Sequence, residues 1–151
     1  MATRRILIVE DETMIAMMLE DFLGDLGWIV VGMAGTVDQA IVMARDADID
    51  AALLDVNLNG QHTFAAADIL SERRIPFVFA TGYGLEGVAD RFRGVPTLTK
   101  PFHRNELERA LRRAMTGSGG SPGATLERSR SSASTTAPGG LRGTPKAMAW
   151  R

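Results

Sequence analysis

Cysteine is absent from the 151-residue sequence, and its absence excludes several classes of site at once. Disulfide frameworks, zinc ribbons, thiol nucleophiles and iron–sulfur clusters all require cysteine. Any metal site must therefore use oxygen or imidazole ligands. The composition favours a cytoplasmic protein.

Long hydrophobic runs are also absent. The uncharged stretch Leu26–Val37 has only 12 residues and includes three glycines, whereas a membrane-spanning helix needs about 20 apolar residues. Near the N-terminus, only four apolar residues, Ile6–Val9, follow Arg4 and Arg5, and a secretory signal needs an apolar stretch of roughly 7–15 residues. We therefore expect a soluble protein without a membrane segment.

Large apolar side chains are scarce after residue 116. Gly, Ser, Thr and Pro supply 20 of the 35 residues in 117–151, and such a segment cannot bury enough apolar surface to offset its ordering entropy. Its five basic residues are scattered, which favours a solvated tail over nucleic-acid binding. The sequence predicts one folded domain over 1–116 and a flexible, disordered tail over 117–151.

Short apolar runs and helical patterns alternate along residues 1–116. The runs are mostly not alternating in polarity, as expected for strands buried on both faces of a parallel sheet. They are Ile6–Val9, Ile29–Val31, Ala51–Leu54, Phe77–Ala80 and Val95–Leu98. Five strands alternating with helices predict an α/β fold with a doubly wound parallel sheet in the order 2-1-3-4-5.

Five helices are predicted between and after these strands. They are marked by Ile15–Leu26 before Gly27, by the Thr36–Gln39 capping box, by Phe64, Ala67 and Leu70, by Leu85–Phe92, and by Leu107–Met115. Glycines at 84, 87 and 94 weaken the fourth prediction. In the first helix, Met14, Met17 and Met18 are interpreted as core-filling side chains.

Acidic residues follow the first and third strands, which are neighbours in the predicted order. Glu10 and Asp11 come after the first strand and Asp55 after the third, so we expect the three to lie together at the carboxyl end of the sheet. Each pair of carboxylates at ~4 Å repels by ~4 kcal/mol at an effective dielectric of ~20. A hard divalent cation such as Mg²⁺, which prefers oxygen ligands, would relieve this repulsion.

A threonine and a lysine follow the remaining strands of this end of the sheet. Lys100, after the fifth strand, can pair with the carboxylates and with a phosphoryl group, and Thr81 offers a hydroxyl to the same group. Asp55 is the carboxylate best placed to attack a phosphoryl donor. The predicted product is an aspartyl phosphate.

Four motifs together resemble the receiver domain of two-component response regulators, over about residues 4–115. They are VEDE at 9–12, LLDVNLNG at 53–60, FATGYG at 79–84 and TLTKPF at 97–102. The resemblance implies a flavodoxin-like (βα)5 fold similar to CheY. It implies a protein that assists its own phosphorylation and is not an enzyme acting on other substrates.

The same resemblance implies the role of each site residue. Asp55 would accept phosphate from a histidine kinase, and Thr81 and Lys100 would contact the phosphoryl oxygens. Asp11, Asp55 and the backbone carbonyl of Asn57 would bind Mg²⁺, with Glu10 assisting through water, and the Asn57 side chain would face the phosphate. The family usually has a cis bond before the proline that follows the lysine, here Lys100–Pro101.

Residues 76–84, PFVFATGYG, resemble more narrowly the single-domain receivers called FAT GUY, which are associated with HWE and related histidine kinases. Most receivers have an aromatic switch residue three positions before the lysine, but Thr97 stands there. Tyr83 is one candidate substitute, and an exposed loop aromatic is the other interpretation of it.

Three functions are compatible with these residues. The first is a stand-alone response regulator that binds a target protein through its fourth helix, fifth strand and fifth helix, or that acts as a phosphate sink. The second is a constitutive, non-phosphorylated interaction module. The third is an aspartate-nucleophile phosphohydrolase, which would need a second aspartate two residues after Asp55, where Asn57 stands.

Overall fold

A computed structural model describes residues 4–82 and 87–117 of the chain. Its central sheet has five parallel strands in the order β2-β1-β3-β6-β7, which is the predicted order 2-1-3-4-5 of the main strands. The strands are β1 (Arg4–Val9), β2 (Trp28–Ala34), β3 (Ala51–Asp55), β6 (Phe77–Thr81) and β7 (Thr97–Thr99). The expected doubly wound, flavodoxin-like α/β fold is thus confirmed.

Helices cover both faces of the sheet. They are α1 (Thr13–Asp25), α2 (Val37–Asp46), α3 (Phe64–Glu72) and α4 (Arg104–Gly117). Buried residues of α1 and α4 form one core with the sheet, and those of α2 and α3 form a second core on the opposite face. Because both faces are covered, all five residues of β3 and all five of β6 are buried.

The predicted helix ends lie close to the observed ones. Thr36 precedes α2, and its hydroxyl accepts a hydrogen bond of 3.1 Å from the N–H of Gln39. The Gln39 side chain in turn accepts from the N–H of Gly35 at 2.9 Å. Gly27, two residues after α1, has a φ of 92°, a left-handed conformation that glycine adopts without a steric cost.

A two-stranded hairpin follows β3 and is absent from the predicted elements. Its strands are β4 (Asn57–Leu58) and β5 (Gln61–His62). Asn59 and Gly60 between them have φ values of 51° and 86°, as a tight hairpin turn of the Asn-Gly type requires. The hairpin lengthens the loop directly after Asp55.

The predicted fourth α-helix is wrong for the residues that can be compared. Among residues 87–94, the helical element is a short 3-10 helix, Asp90–Phe92, preceded by extended backbone at Ala89. Glycines at both ends leave too few strong helix formers for an α-helix. Tyr83 and the start of the predicted helix lie outside the described residues.

Two methionines assigned to the core are on the surface. Met14 and Met17 are 82% and 57% exposed, because α1 buries the opposite side of the helix, through Ile15, Leu19 and Leu23. Met18 is half-buried. The core-filling interpretation therefore fails for Met14 and Met17.

The amino end of the sheet has its own contacts. The guanidinium of Arg4 lies 5.5 Å from the ring centre of Trp28, which is 5% exposed. The predicted tail lies outside the described residues from residue 118 onward. No helix in the described ranges is long and apolar enough to cross a bilayer.

Candidate functional site

Four neighbouring strands, β1, β3, β6 and β7, carry the acidic residues and their partners to one end of the sheet. Glu10 and Asp11 follow β1, Asp55 ends β3, and Thr81 ends β6. Lys100 follows β7. Parallel strands end at the same edge, so the loops that follow them converge there.

Carboxylate oxygens of Glu10, Asp11 and Asp55 all lie within 4.8 Å of one another. Glu10 and Asp55 are only 4% and 6% exposed, and Asp11 is half-buried. Glu10 is held by its N–H, which donates to the Ala34 carbonyl at 2.9 Å, and by its Oε2, which accepts from the N–H of Glu12 at 3.1 Å. The sequence prediction of a carboxylate cluster is confirmed.

Lys100 places its ammonium between two of these carboxylates. Its Nζ lies 2.9 Å from Asp55 Oδ1 and 3.2 Å from Glu10 Oε1. Its backbone N–H donates to the Thr81 carbonyl at 2.8 Å, so the ends of β6 and β7 are joined beside the site. The Lys100–Pro101 bond is cis, as the resemblance implied. We call Glu10, Asp11, Asp55 and Lys100 the carboxylate site.

Burial and charge change the protonation of this site. The pKa of Asp55 is raised to about 8, chiefly by burial and also by the nearby Glu10 carboxylate, which together outweigh the lowering effect of Lys100. Burial opposes the charged form of Lys100, yet Asp55 and Glu10 outweigh it and raise the pKa of Lys100. The site therefore keeps its ammonium charged and disfavours the ionised form of Asp55.

Oxygen ligands of this kind suit Mg²⁺. The cation prefers carboxylate and carbonyl oxygens and is usually bound through one or two carboxylates. Three carboxylates with oxygens within 4.8 Å, two of them buried, offer a donor set of that chemistry. The residues present thus fit the ion that the sequence predicts.

Asn57 lies at the start of the hairpin, with its side chain engaged in the turn. Its Oδ1 accepts a hydrogen bond of 2.8 Å from the N–H of Gly60. This hydrogen bond gives the side chain a structural role in the hairpin; that the side chain faces the phosphate stays a prediction.

Thr63 is a buried polar residue of the site region that the sequence analysis missed. It has no exposed surface, and its hydroxyl donates to the backbone carbonyl of Asp55 at 2.6 Å. The sequence shows Thr63 only as a residue before a predicted helix, because the carbonyl that its hydroxyl binds belongs to a residue eight positions earlier. The signal that could have found it is its place directly before α3, at the end of the loop that begins with Asp55.

The connection between β6 and β7 is tied to α3 by side chains. Arg91 Nε and Nη2 donate to the two oxygens of Asp68 on α3 at 3.0 and 2.9 Å. The same guanidinium lies 4.7 Å from the ring centre of Phe92, which packs 5.5 Å from the ring of Phe64 on α3. Thr97 in β7 is half-buried, and its hydroxyl donates to the Val95 carbonyl at 3.1 Å.

Comparison with known proteins places this arrangement among signalling domains. Residues 6–112 match the response regulator receiver domain. The chain is 33% identical over 116 residues to the transcriptional regulatory protein PdtaR of Mycobacterium tuberculosis, an alignment that covers 74% of this chain and 57% of PdtaR. The chain thus spans little more than half the length of that curated relative.

Solved structures give the same result. SdrG from Sphingomonas melonis is 49% identical with a TM-score of 0.67, over 74% of this chain and 97% of SdrG. The receiver domain of the sensor histidine kinase PA1611 from Pseudomonas aeruginosa, solved with a magnesium ion coordinated in its active site cleft, is 30% identical with a TM-score of 0.63, over 76% of this chain and 99% of that one. This chain belongs to the response regulator receiver domain family.

Proposed function

We propose that this chain is the phosphoacceptor of a two-component phosphorelay and that Asp55 receives the phosphoryl group from a histidine kinase. The observation that supports this proposal most strongly is the carboxylate site, in which oxygens of three carboxylates lie within 4.8 Å of one another and the Lys100 ammonium lies 2.9 Å from Asp55. The membership of the chain in the receiver family supports the same conclusion.

In the proposed transfer, an ionised oxygen of Asp55 attacks the phosphorus of a phosphohistidine. The new O–P bond forms as the P–N bond breaks, and the imidazole nitrogen of the kinase keeps the electron pair of the broken bond. Lys100 and the Thr81 hydroxyl bind the phosphoryl oxygens and stabilise their charge. Lys100 thereby moves its pairing from the carboxylates to the incoming group.

Mg²⁺ is the proposed cofactor. Asp11, Asp55 and the backbone carbonyl of Asn57 would hold it, and Glu10 would assist through water. When bound, the ion neutralises part of the negative charge of the carboxylates and of the phosphoryl group. The oxygen donors present and the magnesium ion described for the PA1611 receiver support this assignment.

The proposed output is partner binding through the surface formed by the 3-10 helix Asp90–Phe92, β7 and α4, or removal of phosphate from the kinase as a sink. The proposed donor is a kinase of the HWE or a related family, because residues 76–84 carry the FAT GUY motif. The predicted domain limits, residues 1–116, enclose every residue that this mechanism uses. A cytoplasmic location stays a prediction.

The test is phosphorylation of the purified chain by acetyl phosphate with Mg²⁺, followed by intact mass. The wild-type chain should gain one phosphoryl group, Asp55→Asn should gain none, and a chelator should prevent the gain. Asp38→Asn, an exposed position on α2, serves as a matched control and should behave like the wild type. A wild-type chain that gains no phosphate from acetyl phosphate or from a panel of kinases would refute the proposal in favour of a constitutive interaction module.

A phosphohydrolase activity predicts a different result. Such an enzyme would turn over a small phosphate ester continuously, and Asp55→Asn would abolish the turnover. Asn57 lacks the acid-base chemistry that this reaction needs two residues after the nucleophile, and its side chain is engaged by Gly60. We therefore expect no turnover beyond slow release of the phosphate from Asp55.

A further inference from the structure

Thr63 occupies the position before α3 where a threonine usually caps a helix. A capping hydroxyl accepts a hydrogen bond from an N–H in the first helical turn, but Thr63 makes no such bond. Its Oγ1 instead donates to the Asp55 carbonyl at 2.6 Å and lies 3.3 Å from the Val56 carbonyl. The side chain is turned back toward the loop after β3.

The backbone of Thr63 reinforces this contact. Its N–H donates to the Val56 carbonyl at 3.0 Å. One residue therefore fixes the carbonyls of Asp55 and Val56, which belong to the two successive peptide groups between Asp55 and Asn57. These peptide groups separate the Asp55 carboxylate from the Asn57 carbonyl, the two groups that the proposed function requires on one side of the same cation.

The hydrogen bonds of the sheet do not by themselves fix the peptide groups between Asp55 and Asn57. The pairing of β3 with β1 ends at Leu54 opposite Val9. On the other side, the last bond is from the N–H of Val56 to the Ala80 carbonyl at 2.9 Å. Thr63 supplies its bonds where these ladders end, and it does so without any exposed surface of its own.

We propose that Thr63 is a positioning residue for phosphoryl transfer: its hydroxyl holds the peptide groups that set the Asp55 carboxylate and the Asn57 carbonyl relative to each other. This inference rests on the proposed function of Asp55. Groups that orient metal ligands through a second layer of hydrogen bonds typically change metal affinity or activity by 10- to 100-fold when removed. Thr63 acts through the backbone and touches neither cation nor phosphate.

The test compares Thr63→Val, which keeps the shape and removes the hydroxyl, with Thr63→Ser, which keeps the hydroxyl. Mg²⁺ affinity is measured by titration of amide chemical shifts, and amide hydrogen exchange at Val56 and Asn57 is measured without metal, in EDTA. Thr63→Val should weaken Mg²⁺ binding about tenfold or more and speed exchange at both amides, and Thr63→Ser should restore wild-type values. Thr63→Ala, which cannot overpack the site, should repeat the result of Thr63→Val.

Thr36→Val is the matched control. Thr36 also precedes a helix, and its hydroxyl caps α2 at Gln39, so this variant loses a helix cap without touching the Asp55 loop. It should keep Mg²⁺ affinity and exchange at Val56 unchanged. Thr63→Val or Thr63→Ala with wild-type affinity and exchange, or a Thr63→Ser variant as impaired as Thr63→Val, would overturn the inference.

The acetyl phosphate reaction separates the two proposals. A wild-type chain that gains no phosphate contradicts the proposed function. A wild-type chain that gains phosphate, together with a Thr63→Val variant that gains it at the same rate, contradicts only the positioning role.

Discussion

Glu10 and Asp55 in the carboxylate site are 4% and 6% exposed, whereas Arg91 and Asp68, which tie the β6–β7 connection to α3, have side chains that are 55% and 44% exposed. The carboxylate site is fixed by strand ends and by buried charges. The described part of the connection, residues 87–96, is held by the bidentate surface ion pair of Arg91 with Asp68 and by the packing of the buried Val88 and Phe92. Residues that are bonded to strand ends have little freedom to rearrange, whereas an exposed ion pair contributes little to the free energy that holds a segment in place.

The difference in burial separates the residues that we propose for phosphoryl transfer from those that we propose for partner binding. The groups that would receive phosphate are preorganised, and Thr81 is the last residue of a central buried strand. We expect variants of the carboxylate site to change stability and ion binding, and variants of the connection to change local motion.

The largest expected effect is that of Lys100→Met. Without the ammonium, the buried Glu10 carboxylate loses the cation that lies 3.2 Å from it, and Asp55, whose pKa is raised to about 8, loses a hydrogen-bond donor at 2.9 Å. Removal of one partner from a buried ion pair costs about 3–5 kcal/mol. Urea unfolding in a chelator should show a loss near the lower end of this range. Lys100→Arg, which keeps the charge, should lose much less, and a Lys100→Met variant as stable as the wild type would contradict the buried pairing.

The next expected effect is a pH dependence of Mg²⁺ binding. The folded, metal-free protein holds a proton on Asp55 below about pH 8, and the cation needs the ionised carboxylate, so binding releases this proton. The affinity should therefore rise about tenfold per pH unit up to about pH 8 and then level off. Calorimetric titrations from pH 6 to 9 measure the slope, which Asp55→Asn should remove. A flat profile in the wild type would refute the raised pKa.

The smallest effect on stability is expected for Asp68→Asn in the β6–β7 connection. It removes the negative charge and one of the two oxygens that accept from Arg91, but an exposed pair of this kind contributes at most about 1 kcal/mol to the free energy of unfolding. Amide hydrogen exchange over residues 87–94 should nevertheless become faster. Asp90→Asn is the control, because its ion pair with Arg93 lies within the 3-10 segment and does not reach α3. Equal exchange in wild type and Asp68→Asn would show that the packing of Val88 and Phe92, and not the ion pair, holds the segment.

The sheet and the meeting of Glu10, Asp11 and Asp55 could be predicted because both follow from local rules. Apolar runs of strand length alternate with helical patterns, and the order of parallel strands brings their carboxyl ends together. Lys100 follows the last strand, so its position was predictable in the same way. Its distances to Asp55 and Glu10 required the structure.

Other features depend on contacts between distant residues and were missed. The bond from Thr63 to Asp55 exists only because the hairpin folds the chain back, although the Asn59–Gly60 turn was readable in the sequence. The 3-10 helix replaces an α-helix where Arg91 can reach Asp68, which is 23 positions earlier. Met14 and Met17 are apolar residues of α1, but they lie outside the buried face of this helix, which Ile15, Leu19 and Leu23 define.

The position of Trp28 in the sheet determines which changes of the protein its fluorescence can report. Trp28 begins β2 under the guanidinium of Arg4, at the opposite end of the sheet from Asp55. Once the second tryptophan of the sequence, Trp150, is replaced by phenylalanine, the indole emission of Trp28 will therefore report the melting of the sheet and stay silent on phosphorylation. An optical reporter of phosphorylation has to be attached at the other end, and the exposed Gln61 on the hairpin offers a place for a dye.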